Sequence, residues 1–112
     1  MTNEAYEQIK LFNGVAYARN TYPQLDLLYH VPNGGKRNQK EACNLKRQGV
    51  RSGVPDLCLP VSRGKYHALY IERKVGNNKA TEKQRKWIKR LREQGNLALV
   101  CYGCLLYTSR CV

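Results

Sequence analysis

Acidic side chains are scarce in this chain. Its 112 residues carry 8 Asp and Glu against 20 Lys and Arg, a formal charge of +12. An excess of that size calls for a polyanionic partner, most simply nucleic acid. Long apolar runs are also missing. None approaches the ~20 residues needed to span a bilayer, and no helical stretch offers a membrane surface a broad apolar face without giving up its core residues. The polar N-terminus, with Glu4 and Glu7, lacks the pattern of a signal peptide, so a cytoplasmic protein is expected. Histidine is limited to His30 and His67, which stand alone. Cysteines 43, 58, 101, 104 and 111 are odd in number and follow no secretion signal, so no disulfide framework is expected. Cys101 and Cys104 make a C-x-x-C, but no second Cys/His pair at ligand spacing accompanies it, which argues against zinc or redox chemistry.

What remains is enough for one domain with a real core: 42% of the residues are hydrophobic. Ala5, Ile9, Phe12 and Ala16 recur at helical spacing, predicting a helix over 3–19 that "NTYPQLD" breaks at Pro23. "LDLLYHV" reads as a short strand ended by "PNGG". "KRNQKEACNLKRQG" is poor in apolar residues and reads as a short surface helix stopped by Gly49. "VPDLCLPV" and "YHALYIERKV" read as strands on either side of the turn "SRGK". Thr81 and Gln84 have capping-box spacing ahead of a helix whose apolar face includes Trp87, Ile88 and Leu91, and "LALVCYG" is a buried strand. Neighbouring strands joined by a tight turn, with a later strand reached through a helix, imply an α/β fold with a mixed sheet flanked by helices.

With acids so few, the placement of two of them is informative. Asp56 heads one strand of the predicted hairpin and Glu72 lies near the end of the other, each beside apolar residues destined for burial. Isolated carboxylates are costly there unless something compensates them, and a divalent cation does so economically. Antiparallel pairing brings both acids to one end of the hairpin, and Lys74, two residues beyond Glu72, faces the same side. Two carboxylates and an ammonium around one point suit phosphodiester hydrolysis. A bound Mg²⁺ (or Mn²⁺) would polarise the phosphate and lower the pKa of a water, while Lys74 would position that water and offset developing charge. Arg73 points to the opposite face, where a structural or a phosphate-contacting role is open. Either half alone has an ordinary explanation, as turn chemistry or as a solvated edge pair; the two together, one hairpin apart in a basic domain, are more specific.

Several stretches resemble the VRR-NUC nucleases of the PD-(D/E)xK superfamily, in particular the small standalone type of phages and bacteria: "HVPNGGKR", "GVRSGVPDLCLP", "YIERKVG" and "TEKQRKWIKRLREQGNLALVCYG". The resemblance runs from about residue 3 to residue 103. It implies a restriction-endonuclease-like fold and a metal-dependent DNA endonuclease acting on branched or Holliday-junction DNA, with Asp56 and Glu72 as metal ligands and Lys74 as catalytic lysine. It implies support from Gln84, for which the capping box with Thr81 is an equal explanation. It also implies an acid on the first helix in a pattern like E-x-x-x-Q; Glu4 and Gln8 fit, and Glu7 stays open. Lys36, Arg37, Lys40, Arg51, Lys79 and Lys83 belong to the basic groups that would track DNA, beside Arg85, Lys86, Lys89, Arg90 and Arg92 on the helix. No base-reading module is evident, which favours recognition of backbone and shape. Cutting two strands with one small catalytic domain calls for a homodimer. The rival reading is a basic DNA-binding module without turnover, which would not need Asp56, Glu72 and Lys74.

The domain is expected to fill residues 1–103. Residues 104–112, "CLLYTSRCV", have no helical periodicity and do not continue the pattern. One coding string for Leu106 to Val112 and a stop, TTA TAC ACA TCT AGA TGT GTA TAA, is its own reverse complement, as in transposase-end adapters joined head to head. A non-native tail of translated sequencing adapter is therefore expected there, and Cys104 with it.

Overall fold

A computed structural model describes residues 3–32 and 38–102 of the chain. The order is helix α1 (Asn3–Ala18), a 3-10 helix (Pro23–Leu27), strand β1 (Tyr29–His30), helix α2 (Gln39–Arg47), strands β2 (Leu57–Leu59) and β3 (Leu69–Lys74), helix α3 (Glu82–Glu93) and strand β4 (Leu97–Tyr102). The four strands form one sheet in the order β1-β2-β3-β4. The first two pairings are antiparallel and the last is parallel. The mixed sheet expected from the sequence is thus present. The tail from 104, and with it the adapter reading, lies outside the described residues. Cys43 and Cys58 are free thiols.

The strands are shorter than their apolar runs. "LDLLYHV" contributes only Tyr29 and His30 to the sheet, because Pro23 presets φ for a helical turn and the chain runs through Leu27 as a 3-10 helix before it extends. Pro60 lacks the N–H to continue a ladder, and β2 stops at Leu59. Between β2 and β3, Arg63 and Tyr66 exchange two backbone hydrogen bonds of 3.0 Å each around Gly64 and Lys65. Gly64 has φ of +56°, which suits the Gly-first two-residue hairpin turn.

Each face of the sheet has its own cover. Leu57, Ile71 and Cys101, from β2, β3 and β4, pack with Leu11 of α1 in a buried cluster that Phe12, Val15, Leu28, Leu69 and Leu99 flank. Leu57 and Cys101 are wholly buried; complete burial of a leucine stabilises by roughly 1.5–3 kcal/mol. The other face meets α3, which lies along β4 and buries Ile88. Both halves of the capping box form at the start of α3: Gln84 N donates to Thr81 Oγ1 at 3.2 Å and Thr81 N to Gln84 Oε1 at 2.8 Å. Helix α2 is capped by Asn38, whose side chain accepts from Glu41 N, and buries no residue.

Candidate active site

The β2–β3 register pairs Leu57 with Ile71. Continued by one residue, it sets Asp56, at the mouth of β2, opposite Glu72. Residues directly opposite in an antiparallel pair point to the same face. Alternation along β3 adds Lys74 to that face and sends Arg73 to the other. Asp56 is held on two sides. Its Oδ1 accepts from the backbone N–H of Arg73 at 3.0 Å, and its carbonyl accepts from Val31 N at 2.8 Å. His30 Nδ1 lies 3.0 Å from the same carbonyl. Glu72 is buried, and its Oε2 lies 3.6 Å from Lys74 Nζ. The structure therefore brings Asp56, Glu72 and Lys74 together as the pairing predicts.

Burial pushes the Asp56 carboxyl above its ordinary value, against the opposing pull of the Arg73 N–H and guanidinium. A carboxylate in that state gains from a cation beside it. The donor set, two carboxylates facing each other across one pair of strands, is the oxygen chemistry that Mg²⁺ or Mn²⁺ takes, with room left for water and phosphate oxygens. Among the described residues no three His, Cys, Asp or Glu side chains cluster as a ready metal cage.

The approach to Asp56 is fixed by α3. Trp87 Nε1 donates to the Ser52 carbonyl at 3.0 Å and Lys83 Nζ reaches Ser52 Oγ at 3.3 Å. Gly53, with φ of +90°, passes so close that a Cβ there would lie 2.9 Å from Trp87 Cδ1 and 3.0 Å from the Lys83 backbone. The glycine of Gly-Val-Pro-Asp is what lets the loop lie against the helix and deliver the aspartate.

The remaining predicted residues separate into groups. Gln84 sits on α3 with its Oε1 in the capping box. The Glu4 side chain, Lys36 and Arg37 lie outside the described residues. Glu7 and Gln8 face the α1 side of the sheet. Gln8 Oε1 accepts from Arg73 Nη1 at 2.6 Å, and Glu7 Oε2 is 4.0 Å from Arg73 Nη2. Arg73 is 7% exposed, and both its Nε and Gln8 Nε2 are buried without a hydrogen-bond partner. Of the two roles left open for Arg73 by the sequence, the structural one holds. Lys40, Arg51, Lys79 and Lys83 are exposed, and the Lys83 contact to Ser52 places that lysine beside the Asp56 loop. Arg85 and Arg92 cap carbonyls instead, those of Ala80 at 2.7 Å and Ala98 at 2.9 Å, and Lys86 pairs with Glu82 at 3.5 Å. Sequence reasoning missed the anchoring by Trp87 and Gly53 and the tyrosines beside the carboxylates. Only the glycine carried a local signal.

A model of the VRR-NUC domain family matches residues 13–104, most of the chain and all of its sheet. This chain belongs to the VRR-NUC domain family. That membership places it in a nuclease-type family. A solved structure titled "VRR_NUC domain protein" is 38% identical, with a TM-score of 0.60 over 72% of this chain. The fold is thus restriction-endonuclease-like, as the VRR-NUC resemblance implied. The match covers 60% of that structure, so this chain spans less than two thirds of its neighbour's length. Among curated proteins none matches. Among the described residues no helix is long and apolar enough to cross a membrane.

Proposed function

We propose that this VRR-NUC domain is a divalent-metal-dependent DNA endonuclease, with Asp56 and Glu72 as the metal ligands and Lys74 as the catalytic lysine. The observation that carries the reading is the register of β2 on β3, which sets Asp56 opposite Glu72 with Lys74 on the same face. A bound Mg²⁺ or Mn²⁺ would supply Lewis acidity at the phosphate and an acidified water. The chain's own residues do the rest. The Arg73 N–H orients Asp56 through Oδ1. Lys74, now held by Glu72, is placed to turn to the phosphate and steady the charge that develops there. The exposed Lys83 and Arg51, on either side of Ser52, and Lys79 and Lys40 meet the DNA backbone without reading sequence. Action on branched or junction DNA, and a homodimer to cut both strands, belong to the same proposal. A non-catalytic binder would have no use for two carboxylates and a lysine gathered on one face of the sheet.

The test is cleavage of branched and linear DNA with and without EDTA. Asp56→Asn, Glu72→Gln and Lys74→Ala should each lose about 100- to 1,000-fold in rate or more while still binding DNA. Cleavage that persists in EDTA, or wild-type rates from Asp56→Asn, would overturn the proposal.

A further inference from the structure

The face that carries Asp56, Glu72 and Lys74 also carries an aromatic pair. Register places Tyr29 of β1 opposite Cys58 of β2, and Cys58 opposite Tyr70 of β3, so the three side chains form one row across the sheet. That row is one two-residue step from the Asp56–Glu72 row, about 6.6 Å along the strands and close to two base rises of a stacked strand. Cys58 is 4% exposed between its neighbours, whereas Tyr29 is 50% exposed and Tyr70 is half-buried. Helix α3 covers β4 rather than this part of the sheet, and α2 buries nothing against it. Both phenols stay protonated: hydrogen bonding to Cys58 raises Tyr29 above its ordinary value, and burial raises Tyr70. The row is therefore aromatic, uncharged and open, in a chain of charge +12.

We infer that Tyr29 and Tyr70 are a stacking platform for an unpaired base of the DNA strand whose phosphate lies between Asp56 and Glu72. Two rings set by strand register on either side of the buried Cys58 offer π-faces at fixed backbone positions. A base inside a duplex has its faces covered by its neighbours and cannot use them, whereas a base at a flap, a gap or a junction can. Stacking accepts any base, which fits a site with no hydrogen-bonding reader. The platform thus gives a physical source for preference toward branched over continuous duplex DNA. It rests on the nuclease reading for the place of the phosphate.

The test separates binding from cleavage. In EDTA, the full chain is titrated against a blunt duplex and against the same duplex with an unpaired tail carrying 2-aminopurine next to the junction. Wild-type protein should bind the tailed substrate more tightly and quench the 2-aminopurine. Tyr70→Ala and Tyr29→Ala should each weaken the tailed substrate by about 5- to 150-fold and leave the blunt duplex within about twofold. Tyr70→Phe and Tyr29→Phe, which keep the ring, should retain affinity and quenching. Equal losses on both substrates, or none on either, overturn the platform. If the alanine variants behave so while wild-type and Asp56→Asn proteins cleave alike, the platform stands and the catalytic assignment falls. If Asp56→Asn is inactive and the alanine variants bind as wild type does, the reverse holds.

Discussion

Glu72, Arg73 and Lys74 are consecutive, yet the middle residue and its neighbours belong to different parts of the molecule. Strand alternation turns Arg73 toward α1, where its side chain is 5% exposed and bonds Gln8 and Glu7. The same alternation turns Glu72 and Lys74 toward Asp56 and a face that α3 leaves partly open. On the α1 side a charge is buried to join a helix to the sheet. On the other side charges are gathered where a cation and a phosphate would answer them. The backbone links the two, because the N–H of Arg73 is the donor that orients Asp56. The difference teaches that stability and chemistry are assigned here residue by residue along one strand, not region by region.

The comparison breaks most readily at Arg73. Arg73→Ala should destabilise the fold by about 3–5 kcal/mol, the usual loss when one partner of a buried charged network is removed, and thermal melting would show it. Arg73→Met, which restores volume, should recover part of that. At temperatures where the Arg73 variants remain folded, cleavage per folded molecule should stay within about threefold of wild type, since the side chain does not face the carboxylates. A rate loss like that of Lys74→Ala would merge the two faces.

Gly53 tests whether the open face depends on its approach loop. Gly53→Ala puts a Cβ 3.0 Å from the Lys83 backbone at a φ of +90° and should cost about 1–3 kcal/mol. It should also lower the cleavage rate by displacing Asp56, while the α1 side keeps its order; amide exchange of α1 and β3 against the 51–56 loop would show the contrast.

The smallest effect is one of pH. Because burial raises the Asp56 pKa above the ordinary 3.8, the folded state holds that proton more tightly than the unfolded chain. The metal-free fold is therefore favoured below pH 3.8, and this contribution is lost as pH rises through the raised folded value. Asp56→Asn keeps an oxygen for the Arg73 N–H and removes the titration. In EDTA its melting temperature should gain on the wild type as pH rises from the acid range and then level off; Mg²⁺ at neutral pH should close the gap by stabilising the wild type alone. A constant difference across pH would mean that Asp56 is not strained by burial.

Much of this was legible in the sequence because it depends on period and spacing. Helices α1 and α3, the cap at Thr81 and the hairpin that joins Asp56 to Glu72 follow from residues within a few positions of each other. The segment before β1 was not legible in the same way: "LDLLYHV" is apolar enough for a strand, but the geometry set at Pro23 carries through Leu27. Arg73 could be placed on the far face by alternation, yet its partners Gln8 and Glu7 lie 65 and 66 residues away and leave no local mark. The same holds for Trp87 on Ser52, a contact across 35 residues, and for the tyrosine row, which exists only once two strand registers are known.

Helix α2 has a consequence of its own. Its nine residues bury nothing and are held by one side-chain cap and their own backbone. Isolated helices shorter than about 12–15 residues are marginal in water, so α2 melts by itself at little cost, apart from the cooperative unit formed by the sheet, α1 and α3. Its amides are expected to exchange first, and trypsin is expected to reach Lys40, Lys46 and Arg47 before it reaches the sheet. On the proposed nuclease reading, the segment would meet a polyanion as an interconverting ensemble of cations, gain helical order on contact, and adapt its path to the shape it meets.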